Sequence, residues 1–123
     1  MPILDNSKFH TQGYRVSSIT AGAGATVLYT CPANFGAVTR YLHISNNSTS
    51  TKKVYVQFYH REDAAYHYIA NGLSMAGNSV INLVNGGYFN LHQGDKIVAY
   101  AETANTMDIL VSFEEYYNPQ HKG

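Results

Sequence analysis

The sequence predicts an all-β protein, a single two-sheet antiparallel β-sandwich of jelly-roll or Greek-key type with about eight short strands. Apolar and polar residues alternate in short runs, which is the period of a half-buried strand. Turn pairs such as Asn-Gly, Gly-Asn and Gly-Asp separate these runs at regular spacing. No stretch keeps a helical period over several turns, so a helical or mixed fold is not expected.

The first strands follow an irregular beginning. Residues 1–12 do not alternate and are predicted to form an N-terminal arm. Three apolar side chains of this arm have no periodic place in a sandwich and are its candidate anchors, namely Ile3, Leu4 and Phe9. The alternation over 14–19 predicts a first short strand, and the apolar run over 27–30 predicts a second.

The middle of the chain contains the two clearest strands. Residues 38–46 form a long run in which Val38, Leu42 and Ile44 share one face. Residues 54–60 alternate most regularly. Their inward set is Val54, Val56 and Phe58, and their outward set is Tyr55, Gln57 and Tyr59. A polar turn at 61–63 then returns the chain through 66–70, which adds Tyr66 and Tyr68.

A turn of the form Leu-x-x-Gly-Asp-x-Ile occupies residues 91–97. Gly94 can adopt the positive φ of a tight turn, and the Asp95 side chain can accept a bond from nearby backbone. A last strand follows over 107–114. The shared parity of these runs predicts a core that includes Leu42, Ile44, Val54, Val56, Phe58, Leu91, Ile97, Ile109, Val111 and Phe113.

The chain length predicts one domain. The 123 residues can bury a sizeable core without disulfides. The expected division is an arm over 1–12, the sandwich over 13–117 and a polar, C-terminal tail over 118–123.

The composition indicates a contact surface with little charge. Eight basic and eight acidic residues cancel, and charged residues make up only 13% of the chain. No basic patch is visible, so no nucleic-acid partner is expected, and no apolar window is long enough to span a membrane. Tyrosine is frequent, with 11 residues. A surface rich in tyrosine and amide groups suits protein contacts and would equally suit a sugar.

No catalytic pattern stands out. The single cysteine, Cys31, lies in an apolar run and is predicted to be a core residue. The six histidines contain no His-x-His pair, so we expect surface histidines and no metal or cofactor site. Glu114 and Glu115 are neighbours in a strand and should point to opposite faces, which prevents them from flanking one substrate bond. The protein is therefore expected not to be an enzyme.

The order of the short motifs resembles the small β-sandwich virion proteins of tailed bacteriophages, of the accessory or decoration type. The matching pieces are Leu28 to Ala33, Leu42 to Asn46, Val54 to Val56, Gly86-Gly87, Leu91 to Ile97 and Ile109 to Tyr116. The resemblance covers roughly residues 25 to 117. It implies a structural role in a virion, with a capsid, tail or connector position left open.

Two classes of function follow from these observations. The first is a capsid decoration or cement protein, made in the host cytoplasm and located in the virion. It would bind other virion proteins, above all the major capsid protein, and form a homo-oligomer for which a trimer is one arrangement. The second is a carbohydrate-binding module that stacks a glycan on the outward residues Tyr55, Tyr59, Tyr66 and Tyr68.

Overall fold

The computed structural model describes residues 8–84 and 87–117 of the chain. Nine strands form in the described residues, and no α-helix occurs among them. They are β1 (Lys8–Val16), β2 (Thr26–Thr30), β3 (Phe35–Asn46), β4 (Lys52–His60), β5 (Ala65–Met75), β6 (Val80–Asn82), β7 (Phe89–Leu91), β8 (Lys96–Ala101) and β9 (Met107–Tyr117).

The strands form two antiparallel sheets in jelly-roll order. The first sheet has the order β1-β9-β3-β6, with β7 also paired to β3, and the second has the order β2-β8-β4-β5. Early strands pair with late ones: β1 with β9, β2 with β8, β3 with β6 and β7, and β4 with β5. A jelly-roll has this pattern because its chain forms one long antiparallel hairpin that folds over into two facing sheets. The predicted fold class is confirmed.

The core lies between the two sheets and matches the predicted set closely. Nine of the ten residues named from the sequence are at most 2% exposed. The tenth, Phe58, is partly buried and packs against the same cluster. Cys31 is 1% exposed, as expected for a core residue. Period-2 alternation identified these positions because neighbouring side chains of a strand point to opposite faces.

The inward-facing positions of β3 change from odd to even residue numbers within the strand, whereas the sequence predicted one constant alternation. Its register with β9 shifts between Thr39 and Tyr41. Ala37 and Thr39 point inward before this β-bulge, and Leu42 and Ile44 point inward after it. The prediction that Val38 shares the inner face was therefore wrong, because a bulge inserts one extra residue and reverses the alternation.

The outward side chain of Gln57 is also covered, contrary to expectation. It is 4% exposed, and its Oε1 accepts a 3.0 Å hydrogen bond from the backbone N–H of Gly22. The connection between β1 and β2 therefore lies against the outer face of the second sheet.

The first strand starts earlier than the alternation indicated. β1 runs from Lys8 to Val16 and pairs residue by residue with β9. Residues 8–12, which the sequence assigned to the arm, thus belong to a sheet. Ile3, Leu4 and the tail over 118–123 lie outside the described residues.

The Leu-x-x-Gly-Asp-x-Ile turn connects β7 of the first sheet to β8 of the second. Gly94 has φ +84°, as predicted for its place in the turn. The Asp95 carboxylate is 2% exposed and accepts 2.9 Å hydrogen bonds from the backbone N–H groups of Arg61 and His92. The backbone of the same turn exchanges hydrogen bonds with Cys31. The turn between β7 and β8 is therefore hydrogen-bonded both to the β2–β3 connection and to the β4–β5 connection.

Candidate functional site

Five tyrosines gather on the outer face of the second sheet. We call this patch the tyrosine surface, and its members are Tyr55, Tyr59, Tyr66, Tyr68 and Tyr100. Four of them were predicted from the sequence as stacking candidates. The strand order adds Tyr100 to them, because β8 lies beside β4. Tyr55 and Tyr100 are direct cross-strand partners.

The tyrosine rings stack largely on each other. The rings of Tyr55 and Tyr100 are 4.4 Å apart and parallel to within 1°. The bulged Gly72 of β5 lies on the ring of Tyr55, where a Cβ would come within 3.4 Å of it. The hydroxyls of Tyr68 and Tyr100 are 2.6 Å apart. Burial, followed by this hydrogen bond, raises the pKa of Tyr100 to about 12.

The rings of Tyr59 and Tyr66 are also partly covered by neighbouring side chains. Tyr59 and Tyr66 have ring centroids 4.8 Å apart, and the Lys96 ammonium lies 5.3 Å from the Tyr59 ring centre. Tyr68, 44% exposed, presents the largest open ring of the group. The arrangement offers hydroxyl groups and ring edges to a partner, while much of the flat ring area is already used inside the cluster.

The histidines beside the β4–β5 turn lie close to a carboxylate. The nearest nitrogens of His60 and His67 lie 3.6 Å and 3.3 Å from the two carboxylate oxygens of Asp63. In residues 8–84 and 87–117, no group of three or more His, Cys, Asp and Glu side chains could hold a metal ion.

A partly buried polar cluster lies between β1, β2 and β9. The Tyr29 hydroxyl donates a 2.7 Å hydrogen bond to Glu115, whose other oxygen is 3.3 Å from His10 Nε2. The His10 ring stacks on Phe113, and the Tyr29 ring lies tilted against it with centroids 3.8 Å apart. Burial and the bond to Glu115 raise the pKa of Tyr29, and burial raises the pKa of Cys31 to about 12. A thiol that stays protonated is a poor nucleophile.

The outer face of the first sheet carries a shallow groove of about 450 Å³. We call it the outer groove, and its main lining residues are Gly13, Arg15, His43, Ser45, Asp108 and Leu110. Arg15 donates two hydrogen bonds to the Asp108 carboxylate, at 2.8 and 3.1 Å. This pairing lowers the pKa of Asp108 and raises that of Arg15. The charged pair closes one end of a groove that Leu110 makes apolar.

Phe9 is the one predicted anchor that lies within the described residues. It belongs to β1 and pairs with Glu114 of β9, and its side chain is 76% exposed. The other exposed large apolar residues of the described chain are tyrosines and aliphatic residues, and each of them is less exposed than Phe9. Phe9 is thus a largely exposed aromatic side chain on a strand that ends the first sheet of the described residues.

Comparisons with known proteins give distant likeness of fold. No family model and no curated protein matches the chain. A chain of the Bacillus endospore appendages, a family of disulfide-linked pili, aligns with a TM-score of 0.53 at 11% identity, over 91% of this chain and 87% of that one. A chain of the icosahedral IBDV viral particle aligns with a TM-score of 0.45 at 12% identity, over 93% of this chain but 32% of that one. No described segment is a helix with the length and apolar character needed to cross a membrane. At these identities the first likeness concerns the β-sandwich alone.

Proposed function

We propose that this chain is a non-enzymatic structural protein of a bacteriophage virion, a capsid decoration protein. It docks on the particle through its N-terminal residues and its uncharged, tyrosine-rich surface. Its partners are other virion proteins, above all the major capsid protein, and it forms a homo-oligomer. A tail or connector position is the alternative place for the same body.

The observation that carries the proposal is the exposure of Phe9. A phenylalanine that is 76% exposed leaves apolar surface in water at the point where the arm joins the sandwich. Covering a side chain of this kind contributes roughly 1.5–3 kcal/mol. Ile3 and Leu4 lie just upstream in the sequence and extend the same apolar character. A partner that covers these residues would gain enough free energy to hold a small domain in place.

The likeness to an endospore appendage chain supports a structural role in general terms. That family is described as disulfide-linked pili. The present 123 residues include one cysteine, Cys31, which is 1% exposed. A single buried thiol cannot link successive subunits of a fibre, since each subunit would need two accessible sulfurs. We therefore assign assembly in this chain to non-covalent contacts.

The test is incorporation into particles. Mass spectrometry of purified virions should find the protein at a fixed ratio to the major capsid protein. Removal of residues 2–7 stops before β1, so the purified variant should keep its melting temperature and lose binding to particles that lack the wild-type protein. Val80→Ser, on an exposed residue of β6, is the matched control and should bind normally. Absence of the protein from virions, or normal binding by the truncated variant, would refute the proposal.

Carbohydrate binding is the second candidate, and the tyrosine surface is the observation that favours it. Stacking on a sugar requires open ring faces, and here Tyr55 and Tyr59 are largely covered by their neighbours. A glycan array probed with the purified protein distinguishes the two functions. Binding that is lost in Tyr68→Ala would favour the carbohydrate-binding module, and a negative array agrees with the virion role.

A further inference from the structure

β1 is an edge strand with an unusually regular free side. It ends the first sheet, so its outer edge pairs with no strand among the described residues. Its register with β9 has no shift over all nine residues, and it contains no proline. The other edges are less regular or much shorter, since β2 and β5 carry register shifts and β6 and β7 have three residues each. A long, flat edge strand presents unpaired backbone donors and acceptors to a further strand.

β1 carries two features on the outer face of the first sheet. One is an exposed aromatic side chain near its beginning, and the other is the edge of the outer groove near its end. Phe9 projects from its beginning and is 76% exposed. The outer groove begins at the other end of the same strand, beside Gly13 and Arg15. At Gly13 a Cβ would lie 2.9 Å from Leu110 Cδ2, so the Leu110 side chain of the same copy lies over this glycine as apolar surface beside the strand edge.

We propose that β1 pairs antiparallel with β1 of a second copy, about a two-fold axis through Gln12, and that Phe9 of each copy packs on Arg15 at the β1 side of the other copy's outer groove. The full-length register of a nine-residue strand against itself is centred on its middle residue, Gln12. This register sets Phe9 opposite Arg15 and Thr11 opposite Gly13. The two first sheets then become one continuous sheet across the dimer.

The spacing of an antiparallel strand pair brings the Phe9 side chain of one copy within contact distance of the other copy. Side chains that are directly opposite have Cβ atoms about 4.5–5.5 Å apart, and diagonal neighbours two residues away are within about 7–8 Å. Phe9 of one copy therefore reaches Arg15 and Gly13 of the other. The ring can lie on the Arg15 guanidinium, which Asp108 already holds in place through two hydrogen bonds.

The inference rests on the homo-oligomer in the proposed function and names its interface. A virion protein that assembles through a different face would keep the function and lose this inference.

Cysteine cross-linking tests the register. In Gln12→Cys the two introduced thiols face each other across the axis, and mild oxidation should give a covalent dimer. Native Cys31 is buried and should not form a cross-link. Tyr88→Cys, at a residue 62% exposed and distant from β1 in the sheet, is the control and should remain monomeric in the oxidised gel. Absence of a Gln12→Cys cross-link would overturn the proposed register.

Sedimentation tests the insertion. The wild-type protein should sediment as a dimer, and Phe9→Ala should raise the dimer dissociation constant about 100-fold, since two rings are lost and each contributes on the order of tenfold. Tyr88→Ala should leave the constant unchanged. Far-UV circular dichroism checks that each variant is folded. A monomeric wild type, or a dimer that Phe9→Ala does not weaken, would overturn the inference without affecting a docking role for the arm.

Discussion

At the scale of single residues, two buried polar side chains hold the connections of the sandwich. Asp95 accepts backbone N–H bonds from Arg61 and His92. Asn46, 0% exposed, donates to the carbonyls of Ser50, Met75 and Ala76 and accepts from Ser48. Both side chains satisfy backbone groups that the sheets leave unpaired. Loops of a jelly-roll need such partners because buried backbone groups are costly without hydrogen bonds.

We expect Asp95→Ala to lower the free energy of unfolding by about 2–4 kcal/mol, because two backbone N–H donors lose a buried carboxylate acceptor. Asp95→Asn keeps one acceptor oxygen and should cost about half as much. Urea unfolding followed by circular dichroism measures both values. Equal losses in the two variants would mean that the side chain acts by filling space, contrary to this account.

At the scale of elements, the turn between β7 and β8 and the turn between β4 and β5 form one packed unit. The Arg61 side chain crosses Gly94 and donates a 3.0 Å hydrogen bond from Nε to the carbonyl of Gln93. A Cβ at Gly94 would lie 2.1 Å from Arg61 Cδ. Glycine is required there for two separate reasons, its positive φ and the proximity of the arginine.

A double-mutant cycle separates these two reasons. Gly94→Ala should destabilise the protein by about 1–2 kcal/mol through the backbone conformation alone, and further through the clash with Arg61. In an Arg61→Ala background only the first contribution should remain, which gives a coupling of about 1 kcal/mol. Thermal or urea unfolding of the four proteins supplies the cycle. A coupling near zero would show that the Arg61 side chain simply moves aside.

At the scale of the whole molecule, the jelly-roll makes distant parts of the chain depend on each other. β1 has β9 as its strand partner in the described structure, and β2 has β8. The central strand β9 lies between β1 and β3. Stable structure therefore requires both ends of the chain, and such long-range pairing makes folding slow.

This topology predicts that the N-terminal two thirds of the chain cannot fold alone. A fragment of residues 1–84 retains six strands but lacks the partners of β1 and β2 and the core face of β9. We expect it to show no cooperative unfolding transition by circular dichroism in urea. A fragment with a sigmoidal transition would show that β3 to β6 form an independent unit.

The sequence by itself determined the fold class, most of the core and the turn at Gly94 and Asp95. These features depend on the pleat of a strand and on the φ angles of glycine, which are local properties. Four of the five members of the tyrosine surface were visible for the same reason.

The tertiary structure decided everything that depends on distant residues. The bulge in β3 placed Val38 outward, the β1–β2 connection buried Gln57, and pairing with β9 extended β1 back to Lys8. The strand order put Tyr100 beside Tyr55 and set Phe9 and the outer groove on one edge. No period in the sequence carries this information, because register and sheet order arise from contacts between residues far apart in the chain.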